Sequence, residues 1–176
     1  MTHKNERPPQ TYVIADTHFF HDRIIKYQHR PKFWEDVIIR NWNNTVREED
    51  TIIVAGDFAF GHRDEIKNVV GKLQGNKILV LGNHDRFSKS FYKSVGFSFV
   101  CDRIDIGRFI ITHKALQIDE IPNNKINIHG HIHNVSLGAK YYNASVDINN
   151  FVPVNLNNIA GNKCRRQYKK FGAALV

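Results

Sequence analysis

Carboxylate, imidazole and amide side chains recur in this sequence directly after short apolar runs, and they are the types that bind divalent metals through oxygen and nitrogen. Tyr12-Val-Ile-Ala leads into Asp16-Thr-His18, and Thr51-Ile-Ile-Val-Ala-Gly into Asp57. Ile78-Leu-Val-Leu-Gly leads into Asn83-His84-Asp85, Phe109-Ile-Ile-Thr into His113, and Ile126-Asn-Ile-His-Gly into His131-Ile-His133. In extended chain, residues two apart point the same way, so Asp16 and His18 can converge, as can His131 and His133. Gly56, Gly82 and Gly130 each stand next to a candidate ligand, where a tight backbone turn would aim side chains at a shared point. No thiolate belongs to the set, since Cys101 and Cys164 are far apart and in no paired motif. Such a donor mixture suits Mn²⁺, Fe or Zn²⁺, with Ni²⁺ also compatible, better than an all-oxygen Mg²⁺ or Ca²⁺ site.

The elements that must position these residues are legible in the apolar pattern. Short β-branched runs at 12–15, 51–55, 77–81, 109–112 and 126–129 read as buried strands. Trp34, Val37, Ile38, Trp42 and Val46 recur at helical spacing, as do Ile66, Val69, Val70 and Leu73, and both tryptophans read as core. Strand and helix in alternation imply crossover connections and parallel pairing. After about Phe97 the runs follow one another too closely for helices, so antiparallel strands are expected to dominate there and the sheet system to be mixed. In open α/β sheets ligands bind at the carboxyl ends of strands, so five such ends side by side would gather the candidate ligands into one crevice.

The ordered set Asp16-x-His18, Gly56-Asp57, Gly82-Asn83-His84-Asp85, His113 and Gly130-His131-x-His133 resembles the calcineurin-like metallophosphoesterases, in particular their small single-domain bacterial and phage members. Asp16-Thr-His-Phe-Phe-His21, Arg30-Pro31, Asn41-Trp-Asn43 and Gly56-Asp-Phe-Ala-Phe-Gly61 agree with that subgroup, and the resemblance covers roughly residues 11–156. It implies a four-layer α/β/β/α sandwich with two mixed β-sheets, a single domain over residues 1–176. It also implies two metal ions, Mn²⁺ favoured, about 3.5–4 Å apart. Asp16, His18 and His133 would hold one ion, Asn83, His113 and His131 the other, with Asp57 bridging. His84 would stand just outside, oriented by Asp85.

The implied activity is hydrolysis of a phosphoester by a metal-bound hydroxide, with His84 assisting the leaving group. The absence of an insertion long enough to cap the site, together with the histidine at position 84, favours a phosphodiester over a monoester. A nuclease or nucleotide phosphatase of the same fold, or a non-catalytic scaffold binding phosphate or protein, are the alternatives. His21 and Arg30, in the loop after the first strand, are candidates for contact with a substrate phosphate. Larger phosphatases of the family place an acidic and a basic residue after Gly-Asp, whereas here Asp57 is followed by Phe58-Ala-Phe60-Gly61. Protein-phosphatase activity therefore does not carry over, and the two aromatics read as core or pocket wall.

Composition bounds the rest. The 176 residues are 41% hydrophobic and 24% charged, an ordinary globular balance that disfavours disorder and fibrous classes. No signal-like segment and no apolar stretch of membrane length is present, so a cytoplasmic protein is expected, in a bacterial cytosol or a phage-infected cell. The formal charge is +8, and Lys163, Arg165, Arg166, Lys169 and Lys170 contribute five of the positive charges in a basic tail at about 163–176. That tail reads as a solvated end or as a contact for a polyanion. The expected partners are a phosphorylated small molecule, a nucleotide or a nucleic acid, with no membrane.

Overall fold

The apolar runs become strands because β-branched residues fill both faces of a doubly covered sheet. The structure, a computed structural model, describes residues 7–159, so the basic tail at 163–176 lies outside the described residues. In chain order the first elements are β1 (Thr11–Ile14), α1 (Ile24–Gln28), α2 (Trp34–Thr45), β2 (Thr51–Ala55), α3 (Arg63–Lys72), β3 (Asn76–Val80) and α4 (Lys89–Ser94). They are followed by β4 (Phe97–Cys101), β5 (Ile104–Ile106), β6 (Phe109–Ile111), β7 (Ile126–His129), β8 (Tyr141–Asn143) and β9 (Val154–Asn155). Two mixed sheets result, ordered β4-β3-β2-β1-β9 and β5-β6-β7-β8.

Alternation along the strands sorts side chains between two cores. Tyr12, Ile14, Ile52, Val54 and Leu79 face the helices and pack against Trp34, Ile38 and Trp42 of α2 and Ile66, Val69 and Val70 of α3. Val13, Ala15, Ile53, Ala55 and Val80 face the second sheet and meet Phe109, Ile111, Ile128 and Tyr142. Full burial of each large apolar side chain is worth about 1.5–3 kcal/mol. Both tryptophans are core residues, and the Trp42 indole N–H also donates to the Gln74 carbonyl. Helix α2 begins with Glu35 and Asp36, which favour its N-terminal dipole end. The outer face of the second sheet is covered by the segment after β6, where Leu116 N–H donates to Asn127 Oδ1 and the Tyr141 hydroxyl donates to the Leu116 carbonyl.

Strand direction departs from the sequence-based expectation. β4 joins β3 in parallel, β6, β7 and β8 are mutually parallel, and only the β5–β6 and β1–β9 pairs are antiparallel. The closely spaced β5 and β6 do form a hairpin, whereas residues 112–125 and 130–140 are long enough to cross over without an α-helix and leave β6, β7 and β8 parallel.

This topology positions the site. Parallel β1, β2 and β3 deliver the loops after Ile14, Ala55 and Val80 to one edge of the first sheet. Parallel β6 and β7 do the same for the loops after Ile111 and His129. The sheets are stitched together at that edge: Ala15 N–H donates to the Ala144 carbonyl, and Val146 N–H to the Ala15 carbonyl. The next residue is Asp16.

Candidate metal centre

Two groups of metal-competent side chains form where the five strand ends meet. Asp16, His18 and His133 make the first and Asp57, His113 and His131 the second, with the ligand atoms of each group within 4.8 Å of one another. Asp57 faces both, its Oδ2 lying 3.3 Å from His113 Nε2 and 3.7 Å from His18 Nε2. Asn83 Oδ1 lies 3.1 Å from His113 Nε2, beside the second group.

Convergence does not come from strand alternation. Asp16, His18, Asp57, His131 and His133 all have left-handed backbone, with φ between 47° and 69°. Among the described residues only four other non-glycine positions do so, which concentrates the strain at this crevice. Each such residue costs on the order of 1–3 kcal/mol unless its surroundings enforce it. Enforcement is visible in the close approach of the loops. A Cβ on Gly82 would lie 2.2 Å from Asp57 Oδ1, and one on Gly130 would lie 2.7 Å from both Ala15 Cβ and Asp16 Oδ2. Only glycine lets these loops meet.

Backbone donors hold the two buried carboxylates. His84 N–H donates to Asp57 Oδ1 at 2.9 Å, and His131 N–H reaches both Asp16 oxygens at 3.0 Å. Asp85, expected to orient His84, is instead a clamp on the main chain. Its Oδ2 accepts from Asp57 N–H and Gly82 N–H and its Oδ1 from Phe58 N–H, at 2.8–2.9 Å. This ties the 82–85 turn to the loop after β2. A carboxylate three residues after a turn glycine is a local signal for such a bond.

The imidazoles are oriented from behind. His113 Nδ1 donates to the Ala55 carbonyl at 3.0 Å, which turns Nε2 toward Asp57. His133 Nδ1 lies 2.7 Å from Asp147 Oδ2, which leaves its Nε2 for the crevice. Outer hydrogen bonds of this kind fix the tautomer of metal-binding histidines. Both ring nitrogens of His18 are buried with no hydrogen-bond partner among the described residues. A buried imidazole without partners is costly, and a cation between His18, Asp16 and His133 would take one of its two nitrogens.

The protonation balance indicates the same need for positive charge. Burial pushes the Asp16 carboxyl up, against the opposing pull of His133 and His113. Burial also acts against ionised Asp57, yet the hydrogen bond and charge of His113 and the His84 amide hold it at about 2. Burial opposes protonation of His113 as well, but Asp57 and Asp16 outweigh it and raise its pKa. His18 is lowered to about 3 by burial. The donor set, the unsatisfied imidazole and the acidic pocket together fit divalent cations.

His84 is half-buried at the rim, its ring centroid 4.7 Å from that of Phe60 and 5.9 Å from that of His18. His21 stacks on Phe60 at 4.0 Å, so Phe60 is a wall of the crevice, while Phe58 is fully buried core. Arg30 is not offered to a substrate: its side chain is fully buried and bonded to Asp147 and to the Asp16 and Thr17 carbonyls. His129 is buried behind the centre, Nδ1 donating to the Gly130 carbonyl.

The uncharacterized protein MJ1445 of Methanocaldococcus jannaschii is 30% identical to this chain over 162 residues, 82% of this chain and 86% of that protein. The chain belongs to the MJ1445 family. A solved structure agrees with the fold of this MJ1445-family chain: the protein of unknown function AQ665 from Aquifex aeolicus matches with a TM-score of 0.68 and 29% identity, over 86% of this chain and 97% of that one. The nuclease MPE of Pseudomonas putida matches at a TM-score of 0.49 and 17% identity, over 70% of this chain and 61% of that one, too distant to bear on function. No family model matches the sequence. No helix among the described residues is long and apolar enough to cross a membrane.

Proposed function

We propose that this chain is a metal-dependent phosphoesterase of the calcineurin-like type, acting on phosphodiesters in preference to monoesters. The observation that carries this reading is the pair of His/Asp groups in one crevice, with Asp57 facing an imidazole of each. Asp16, His18 and His133 would hold one divalent cation, His113, His131 and Asn83 the second, and Asp57 both. Bound there, the cations would supply Lewis-acid polarisation of phosphoryl oxygens and a nucleophile at neutral pH. The residues of the chain do the remaining work. Asp57 and Asp16 fix the cations' placement through carboxylates locked by backbone N–H groups. His84, anchored through its own N–H to Asp57, would assist the leaving group at the rim. Phe60 and His21 limit where the leaving group can lie.

The proposed substrate is a phosphorylated small molecule, a nucleotide or a nucleic acid, and the positive charges of the sequence at 163–176 are the proposed contact for a polyanion. The test is hydrolysis of bis(4-nitrophenyl) phosphate and 4-nitrophenyl phosphate by Mn²⁺-loaded protein. Faster turnover of the diester is expected, abolished by chelator and restored by metal. A monoester preference would remove the diester assignment, and no metal-dependent turnover of either would remove the reading.

A further inference from the structure

Arg30 and Asp147 lie 117 positions apart in the sequence and meet beneath the first metal group. Arg30 Nε donates to Asp147 Oδ1 at 2.7 Å and Nη2 to Oδ2 at 2.8 Å, a bidentate pair whose two side chains are 0% and 2% exposed. The rest of the guanidinium is also committed, Nη1 donating to the Thr17 carbonyl and Nη2 to the Asp16 carbonyl. Asp147 Oδ2 in turn meets His133 Nδ1 at 2.7 Å and accepts from the Ser145 hydroxyl at 3.1 Å. A carboxylate already paired with arginine can only accept, so His133 Nδ1 is the donor to it and Nε2 is the ring nitrogen left for the crevice.

The second group is built differently. There the imidazole of His113 leans on a neutral backbone carbonyl, that of Ala55. A carboxylate behind an imidazole raises its basicity as a ligand more than a carbonyl does. The same arginine grips the main chain at Asp16 and Thr17, so one side chain fixes the backbone that presents Asp16 and His18 and the partner that aims His133. All three members of the first group are thus tied to Arg30.

We propose that Arg30 and Asp147 are positioning residues that lock the His133 tautomer and make the Asp16–His18–His133 group a metal site distinct from, and tighter than, the Asp57–His113–His131 group. This rests on the phosphoesterase reading for its purpose but not for its geometry. Asp147→Asn is nearly isosteric and separates the two: Arg30 faces both carboxylate oxygens, so either orientation of the amide turns N–H₂ against the guanidinium, and the charge behind His133 is lost.

Two measurements decide it. In metal-free wild-type protein at pH 8, long-range ¹H–¹⁵N spectra should show His133 protonated at Nδ1 and bare at Nε2. A wild-type His133 protonated at Nε2 alone overturns the proposal, and this holds even if the variant does not fold. In Mn²⁺ titrations followed by electron paramagnetic resonance and calorimetry, the wild type should fill two sites stepwise and reach a spin-coupled pair. Asp147→Asn and Arg30→Lys should weaken the tighter step about 10- to 100-fold and leave the other unchanged. Ser145→Ala, which removes only the third donor to Asp147, should shift the same step by less. Equal loss at both steps, or none, overturns the proposal. Wild-type protein that takes up no metal sinks the phosphoesterase reading instead, and the tautomer still decides the Arg30–Asp147 lock.

Discussion

At the entry to β2 the buried carboxylate of Asp50 takes four N–H donors, whereas beyond the end of β1 the equally buried Asp16 takes a single backbone N–H, shared between its oxygens. The Asp50 donors are Arg7 Nη1 and Nη2, Gln10 N and Arg47 N, all at 2.5–2.8 Å. The outcome is opposite at the two positions. Arg7 holds the Asp50 carboxyl well below the usual carboxylate range, while burial lifts that of Asp16. A buried charge that is saturated with donors stabilises a fold, and one that is not costs stability until a cation arrives. One end of the sheet is therefore built as structure, and the other carries carboxylate and imidazole groups that could hold a cation.

Substitution by asparagine should separate these ends. The largest effect is expected for Asp57→Asn, since Asp57 faces both groups. Mn²⁺-dependent kcat/KM on a diester should fall well beyond the roughly 10- to 100-fold loss typical of an outer partner. Asp50→Asn should leave that activity intact. In urea unfolding without metal the order reverses. Asp50→Asn should cost roughly 2 kcal/mol through lost charged hydrogen bonds, and Asp16→Asn should be neutral or stabilising because it discharges an under-satisfied group. Metal at about 100 times its Kd should then stabilise the wild type by about 2.7 kcal/mol and Asp16→Asn by much less. An Asp16→Asn variant as destabilised as Asp50→Asn in the absence of metal would break the comparison.

The end that carries the candidate site was the more legible of the two in the sequence, because each candidate ligand follows an apolar run and a strand's end is a local property. What sequence spacing did not reveal was the backbone state: Asp16 and His18 meet through two left-handed residues, not through an extended chain. Nor did spacing reveal the partners of Arg30, because Asp147 reaches it only through the folded sheets. Parallel pairing of β6, β7 and β8 escaped for a related reason, since irregular crossovers leave no periodic trace. The Asp50 clamp was hidden in its larger part: the bond from Arg47 N–H is local, but Arg7 and Gln10 reach Asp50 only once β1 lies beside β2.

Acidification should distinguish the ends by pH window. Burial lowers His129, behind the site, to about 4, below the roughly 6.5 of an unfolded histidine. The unfolded chain binds more protons between those values, so stability is lost as pH falls from about 6.5 toward 4. Asp85 works against this: burial raises it to about 6, and the cost of its charge is relieved as pH falls from about 6 to 4. The contribution of Asp50, whose folded pKa is depressed, stays in place until pH falls below the roughly 3.9 of an unfolded aspartate. His129→Gln should flatten the metal-free stability profile between pH 6 and 4.5 by up to about 1.4 kcal/mol per pH unit. An unchanged slope in that variant would show that His129 does not stay neutral in the fold.

The smallest effect is expected where a carboxylate has partners but no burial. Asp105 on β5 accepts from Arg103 and Lys125 at 2.7–2.8 Å, and those hydrogen bonds hold its carboxyl at about 2. Its side chain is 40% exposed, however, and water already solvates the charge in the unfolded chain. Exposed pairs contribute roughly 0–1 kcal/mol, less at high salt. Asp105→Asn should therefore lower stability by under about 1 kcal/mol, an effect that shrinks further in 1 M NaCl, despite its having two cationic partners to the one of Asp50. A loss equal to that of Asp50→Asn would mean that partner number, not desolvation, sets the worth of a carboxylate in this fold, and would remove the ground for treating Asp16 as a site in need of a cation.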